Sequence, residues 1–174
     1  TLKPAKTLKK FGKTYLYYDA PATWPEAAAQ CKALDGELLR PESLAEENFI
    51  EGELLQGEIK LWLGCTDRET EGELKWMDGT DCTPTSVQYT NWGPGQPNNI
   101  GGAEGDCTEI AWDFPWNQGV PQPDNGQWND RACTAENAFV CTVNPPEPPT
   151  LTRNGYTYKF LESAIPSWAE AQYL

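Results

Sequence analysis

The sequence contains no histidine, which removes a common zinc ligand and the usual general base of hydrolytic enzymes. It has no Gly-x-Ser-x-Gly turn to raise a nucleophilic serine. None of its six cysteines falls in a Cys-x-x-Cys pair, so zinc and dithiol chemistry are both poor accounts of them. No apolar run approaches the roughly 18 residues that span a bilayer. No signal peptide stands at the start, so Thr1 reads as a mature terminus or a cut. There is no Asn-x-Ser/Thr sequon, so N-linked glycan on this chain is not expected. The N-terminal stretch shows neither heptads nor collagen-like triplets, and nothing in it predicts a clustering stalk.

What is present bounds the rest. The 174 residues suit one domain with something left over, and 39% hydrophobic residues with eight tryptophans can fill a core. The net charge of −13 is unevenly placed. Lys3, Lys6, Lys9, Lys10 and Lys13 make the first thirteen residues +5 and leave −18 for the remainder, which disfavours nucleic acid as a partner. Residues 1–10 read as a basic, solvated stub. An even number of cysteines without a metal pattern points to disulfides and hence to an oxidising, extracellular compartment, although sequence alone does not choose the pairing.

Along the chain, Thr14 to Tyr18 reads as a strand. Thr23-Trp24-Pro25-Glu26 opens a helix with a capping box and a proline in its first turn, running past Cys31 and Leu34 to a stop near Gly36. Ser43-Leu44-Ala45-Glu46 opens a second, whose Leu44, Phe49, Ile50 and Leu54 give an apolar stripe. Leu61-Trp62-Leu63-Gly64-Cys65 has the continuous apolar character of a strand buried on both sides, and Phe139 to Val143 reads as a last strand. Asn144 to Pro149 is a stiff, proline-rich linker over 144–150.

The chemistry concentrates between residues 96 and 130. Gln96, Asn98, Glu104, Asn129 and Asp130 all carry side-chain oxygens, and hard cations such as Ca²⁺ take six to eight oxygen ligands. The same residue types are ordinary in surface turns. Their order decides between the two readings: a proline flanked by two amides, an acid six residues on, a cysteine, Trp128-Asn129-Asp130 and a further cysteine. That order resembles the sugar-binding loop of C-type lectin domains. The resemblance extends to Leu61-Trp62-Leu63-Gly64, similar to the family's central Trp-Ile-Gly motif, and to Tyr89 through Asn98.

The resemblance implies an α+β fold over residues 11–143, two short helices flanking antiparallel sheets, with a long calcium- and sugar-binding loop. It implies bridges Cys31–Cys141 and Cys107–Cys133, which leave Cys65 to Cys82. It implies a cis Gln96–Pro97 bond, and one Ca²⁺ on Gln96, Asn98, Glu104, Asn129 and Asp130. Asp67, Glu71, Asn99 and Asp106 match an auxiliary calcium position, and a solvated acidic loop is the competing account of Asp67 and Glu71. Gly105 lengthens the motif by one residue and leaves open whether Glu104 or Asp106 fills the acidic place.

Gln96, Asn98, Glu104 and Asn129 are also the expected sugar contacts. Gln-Pro-Asn mixes the family's mannose-type and galactose-type triplets. The expected ligand has vicinal equatorial hydroxyls, as in mannose, and galactose stays open because Phe114 or Trp116 of the 113–125 insertion could stack on it. The insertion's own Gln122-Pro123-Asp124 follows Cys107 and is not taken as the site. Glycans, glycoproteins and microbial surfaces are the implied partners. A lectin-fold module that binds protein or scaffolds a matrix without sugar is the alternative. An enzyme is not expected, because a glycosidase needs two carboxylates astride the scissile bond, and the acids here cluster with amides. Finally, Gly155-Tyr156-Thr157-Tyr158 echoes Gly12-Lys13-Thr14-Tyr15, and Trp168-Ala169-Glu170-Ala171 echoes Trp24-Pro25-Glu26-Ala27. Residues 151–174 therefore read as the truncated start of a second such domain.

Overall fold

A computed structural model describes residues 2–55, 59–99, 106–111, 126–144, 150–153 and 156–159. The chain divides into two units, Thr1–Asn144 and Pro145–Leu174. The first is built on one mixed sheet. Its strands are β1 (Lys6–Lys10), β2 (Lys13–Ala22), β3 (Glu37–Leu38), β4 (Lys60–Thr66), β5 (Lys75–Trp76), β6 (Asp106–Ala111), β7 (Trp128–Ala132) and β8 (Asn137–Val143), with helices α1 (Trp24–Lys32) and α2 (Leu44–Leu54). The order across the sheet is β1-β2-β8-β4-β6-β7, with β3 added on β8 and β5 on β4.

The helices start where their capping residues stand. Thr23 precedes α1 and forms a reciprocal capping box with Glu26, whose carboxyl is held below its usual range by the Thr23 hydroxyl and amide. Ser43 accepts the Glu46 amide at the start of α2. The apolar run of β4 is buried from Leu61 through Cys65. It packs with Tyr15, Leu39, Ile50, Ile110, Trp128 and Val140 in one cluster, while Trp62 joins Tyr18, Trp24, Leu38 and Phe139 in another. Three disulfides, Cys31–Cys141, Cys65–Cys82 and Cys107–Cys133, lie in these two clusters.

Three expectations change. The sheet is mixed rather than antiparallel: β8 returns antiparallel to β2, and in doing so lies parallel to β4, pairing Leu61 with Ala138 and Trp62 with Phe139. The basic stub is largely a strand. Lys6–Lys10 pairs along β2, closed by a two-residue turn in which Phe11 and Gly12 both have positive φ, the backbone a tight hairpin requires. Lysine suits it because charge on an edge strand discourages pairing with other chains.

The third change concerns α2. Leu44 is 56% exposed, and the helix buries Glu46, Glu47 and Glu51 beside Ile50 and Leu54. Glu46 and Glu47 lie inside because donors meet them: the Tyr15 hydroxyl donates to Glu46 (2.6 Å), and the Trp128 indole N–H to Glu47 (2.6 Å).

In the second unit, β9 (Thr150–Arg153) and β10 (Tyr156–Lys159) pair antiparallel with Arg153 opposite Tyr156. The offset is that of the first hairpin, where Lys10 stands opposite Lys13.

Candidate functional site

The segment from Asn91 to Asn99 is laced to β7. Trp128 donates its amide to the Asn91 carbonyl (2.8 Å), and Gly93 donates to the Trp128 carbonyl (2.9 Å). The Trp92 indole donates to the Cys82 carbonyl (2.8 Å) and its ring meets Trp128 edge-on at 5.9 Å. Trp128 is fully buried and also meets Trp76 and Tyr89 edge-on. Aromatic pairs of this kind add to ordinary burial, so the start of β7 is a fixed platform. Gly126 enters it with φ +97°, a backbone conformation that L side chains rarely adopt, and a Cβ there would meet the Glu51 side chain. Glycine is the residue that fits.

The Gln96–Pro97 peptide is cis. Beyond it, the Asp130 carboxylate accepts the amides of Asn98 (3.0 Å) and Asn99 (2.5 Å), so β7 holds the turn on the far side of the proline as well. Gln96 is 8% exposed, and its side-chain oxygen is buried without a hydrogen-bond partner among the described residues. An unpaired buried oxygen is normally costly, on the order of 1–3 kcal/mol. Asn129 turns its amide nitrogen to Glu109 (3.2 Å), which leaves its carbonyl oxygen as the other end.

Gln96, Asn98, Asn129 and Asp130 thus come from two segments joined by main-chain and carboxylate hydrogen bonds. Glu104, Phe114 and Trp116 lie outside the described residues. Of the auxiliary set, Asn99 donates its side-chain amide to Glu71 from a positive-φ backbone. Asp67, 4% exposed, accepts the Gly72 amide (3.0 Å) within its own loop. Asp106 begins β6 opposite Ala132. Among the described residues no three of His, Cys, Asp and Glu come together as a metal-holding group. The described part of the set is three amide side chains and one carboxylate. Oxygen donors of this kind suit a hard cation, and the Gln96 oxygen, without a partner among the described residues, fits that role.

Two buried acids next to this site were not picked out from the sequence. Glu47 lies on α2 under Trp128, accepting the indole N–H, the Tyr89 hydroxyl and Asn91. Burial, its main cause, pushes its carboxyl up to about 7. Glu109 lies on β6 directly opposite Asn129, fully buried. It accepts Asn129 and Asn137 (2.8 Å), with Lys60 at 3.4 Å and Arg131 at 3.5 Å. The available signals were an acid at helical spacing from Ile50 and Leu54, and a lone acid in the otherwise uncharged run Cys107-Thr108-Glu109-Ile110-Ala111.

The Lectin C-type domain family matches residues 20–143. Hepatic lectin of Gallus gallus is 35% identical over 130 residues, 75% of this chain and 54% of that protein. The versican core protein of Rattus norvegicus is 30% identical over 143 residues, 80% of this chain and 5% of that protein. The chain thus spans about half of the first relative and a small part of the second. The mouse scavenger receptor C-type lectin carbohydrate-recognition domain superposes with a TM-score of 0.66 at 28% identity, covering 82% of this chain and 98% of that one. A family match over most of the chain, a shared fold and three disulfides lead to one conclusion: the chain belongs to the C-type lectin domain family.

Proposed function

We propose that this chain is a non-enzymatic, calcium-dependent carbohydrate-binding module whose ion is held by Gln96, Asn98, Glu104, Asn129 and Asp130. The observation that carries the reading is the Gln96 side-chain oxygen, buried and without a partner among the described residues, on a loop tied to Asp130. A bound Ca²⁺ would supply a Lewis-acid point for two sugar hydroxyl oxygens. The chain's own residues do the rest. Asp130 fixes the loop through the Asn98 and Asn99 amides. Gln96 and Asn98, with their oxygens on the ion, offer amide N–H donors to the sugar and no carboxylate acceptor.

Only two of the five side chains are charged, which places calcium affinity at the weak, extracellular end, on the order of 10⁻⁴ to 10⁻³ M. Asn98 supplies the donor of a mannose-type code, so vicinal equatorial hydroxyls are the proposed target, at roughly millimolar affinity per site (about −4 kcal/mol). A galactose-type ligand requires stacking by Phe114 or Trp116. Asp67, Glu71, Asn99 and Asp106 are the proposed auxiliary calcium residues, on the family resemblance; of these, Asn99 and Glu71 are in hydrogen-bond contact.

Three disulfides in the core support an extracellular setting, where glycoproteins and microbial surfaces are the available partners. No helix among the described residues is long and apolar enough to cross a membrane. Residues 151–174 are proposed as the opening of a second such domain on the sequence echo of Gly12-Lys13-Thr14-Tyr15 in Gly155-Tyr156-Thr157-Tyr158.

The test is retention on a glycan array with calcium and with EDTA. Retention on mannose-bearing glycans that EDTA abolishes is expected. Retention unchanged by EDTA, or none, replaces this reading with a module that docks protein or matrix.

A further inference from the structure

We infer that Glu109 is a positioning residue that sets which end of the Asn129 amide faces the calcium site. The inference rests on the proposed role of Asn129 as an ion ligand. An asparagine side chain has two ends of nearly equal size and opposite chemistry: its oxygen binds a cation and its NH₂ does not. Something must choose between them. Glu109 and Asn129 are direct partners across β6 and β7, so their side chains share a face of the sheet. The Glu109 carboxylate offers only acceptors. It takes the Asn129 nitrogen at 3.2 Å. A rotated Asn129 would set its oxygen against the same carboxylate oxygen, two acceptors in contact with no proton between them.

Glu109 is itself fixed. One carboxylate oxygen accepts from Asn137 of β8 at 2.8 Å, and the other has Lys60 of β4 at 3.4 Å and Arg131 of β7 at 3.5 Å beside Asn129. The group is fully buried, and three other strands hold it in place. A fixed acceptor behind a ligand orients that ligand and strengthens its hold on the metal.

The test is a double-mutant cycle on the whole chain, read by calcium titration calorimetry. In Glu109→Gln the new amide cannot accept from Asn129 and Asn137 at once, and calcium affinity is expected to fall about tenfold or more. In Asn129→Asp alone, a second carboxylate faces Glu109 and affinity falls as well. In Glu109→Gln with Asn129→Asp, the glutamine NH₂ donates to one aspartate oxygen and leaves the other for the ion. Affinity is expected to recover to within about threefold of wild type, a reversal of sign that loss of fold support would not produce. Losses that simply add, or a Glu109→Gln variant that binds calcium like wild type, overturn the inference.

A second readout uses the metal-free protein, so a failure of the calcium reading itself, visible as no binding by wild type, is told apart. In nuclear magnetic resonance the Asn129 side-chain NH₂ is expected to give one slowly exchanging pair of signals in wild type. Two sets or fast exchange are expected in Glu109→Gln. An unaltered pair in that variant contradicts the assignment of Glu109.

Discussion

Strand β7 is gripped from both faces by buried glutamates, and the two grips differ in kind. Trp128 and Asn129 are neighbours on the strand, so their side chains point to opposite faces. On one face Glu47 takes the Trp128 indole N–H, with Tyr89 and Asn91 as its other donors and Glu51 as a nearby like charge. Every donor there is neutral, and burial leaves the carboxyl near 7. On the other face Glu109 is buried as deeply, yet two cations and two amides meet it. The Glu47 face fixes an aromatic platform, and the Glu109 face orients the Asn129 amide. Depth of burial is shared; the kind of donor separates packing from site chemistry.

Losing the aromatic platform is expected to have the largest effect. Trp128→Ala removes the residue that Trp76, Tyr89 and Trp92 all meet edge-on and leaves Glu47 without its indole donor. A loss of about 3–5 kcal/mol is expected in urea unfolding. A loss under about 1 kcal/mol would show that Trp128 is not the platform.

The charge difference is sharpened by pH. A carboxyl whose pKa is higher folded than unfolded binds its proton more tightly in the folded state. Its favourable contribution is therefore complete below the ordinary 4.5 and is lost as pH rises through about 7. Glu47→Gln cannot titrate. Between those two pH values the metal-free wild type is expected to lose on the order of 2–3 kcal/mol relative to this variant. Urea midpoints measured across pH check it, and parallel profiles for the two proteins contradict it.

The smallest effect is on the Glu109 side. The Lys60 and Arg131 side chains are 34% and 39% exposed, against a fully buried carboxylate. Either Lys60→Met or Arg131→Met leaves the other cation in place, and about 1 kcal/mol each is expected in urea unfolding. A single loss above about 3 kcal/mol would show that one cation alone supports the buried charge.

What the sequence made legible is where local chemistry decides structure. Thr23 with Glu26, and Ser43, mark the two helix starts because capping needs those residues at those places. The apolar run 61–65 gives the central strand because consecutive apolar residues suit a strand covered on both faces, and all five are buried. Cys65–Cys82 and the other two bridges follow the pairing that the family resemblance implied.

Strand β1 was hidden because its lysines read as solvated charge, whereas an exposed edge strand tolerates them. The parallel contact between β4 and β8 depends on a long-range return that no local pattern encodes. Glu47 and Glu109 were hidden for the opposite reason to β1. An acid reads as surface until its donors are known, and those donors come from 42, 44 and 81 residues away for Glu47, and from 20, 22, 28 and 49 residues away for Glu109. At the site, Gln96, Asn98, Asn129 and Asp130 were named as ligands. The tie from Asp130 to the amides of Asn98 and Asn99 emerged only from the fold.

The most direct test of the account is calcium-dependent stability in Gln96→Met, which removes the buried oxygen and keeps nearly the same shape. Wild type should gain about 1.4 kcal/mol in unfolding free energy at calcium ten times its dissociation constant. The variant should gain almost nothing. Without calcium it should be as stable as wild type or more so, because a buried oxygen with no partner among the described residues has gone. A Gln96→Met protein that keeps the calcium-dependent gain, or that is weakened in the metal-free state, contradicts the claim that this oxygen is held for an ion.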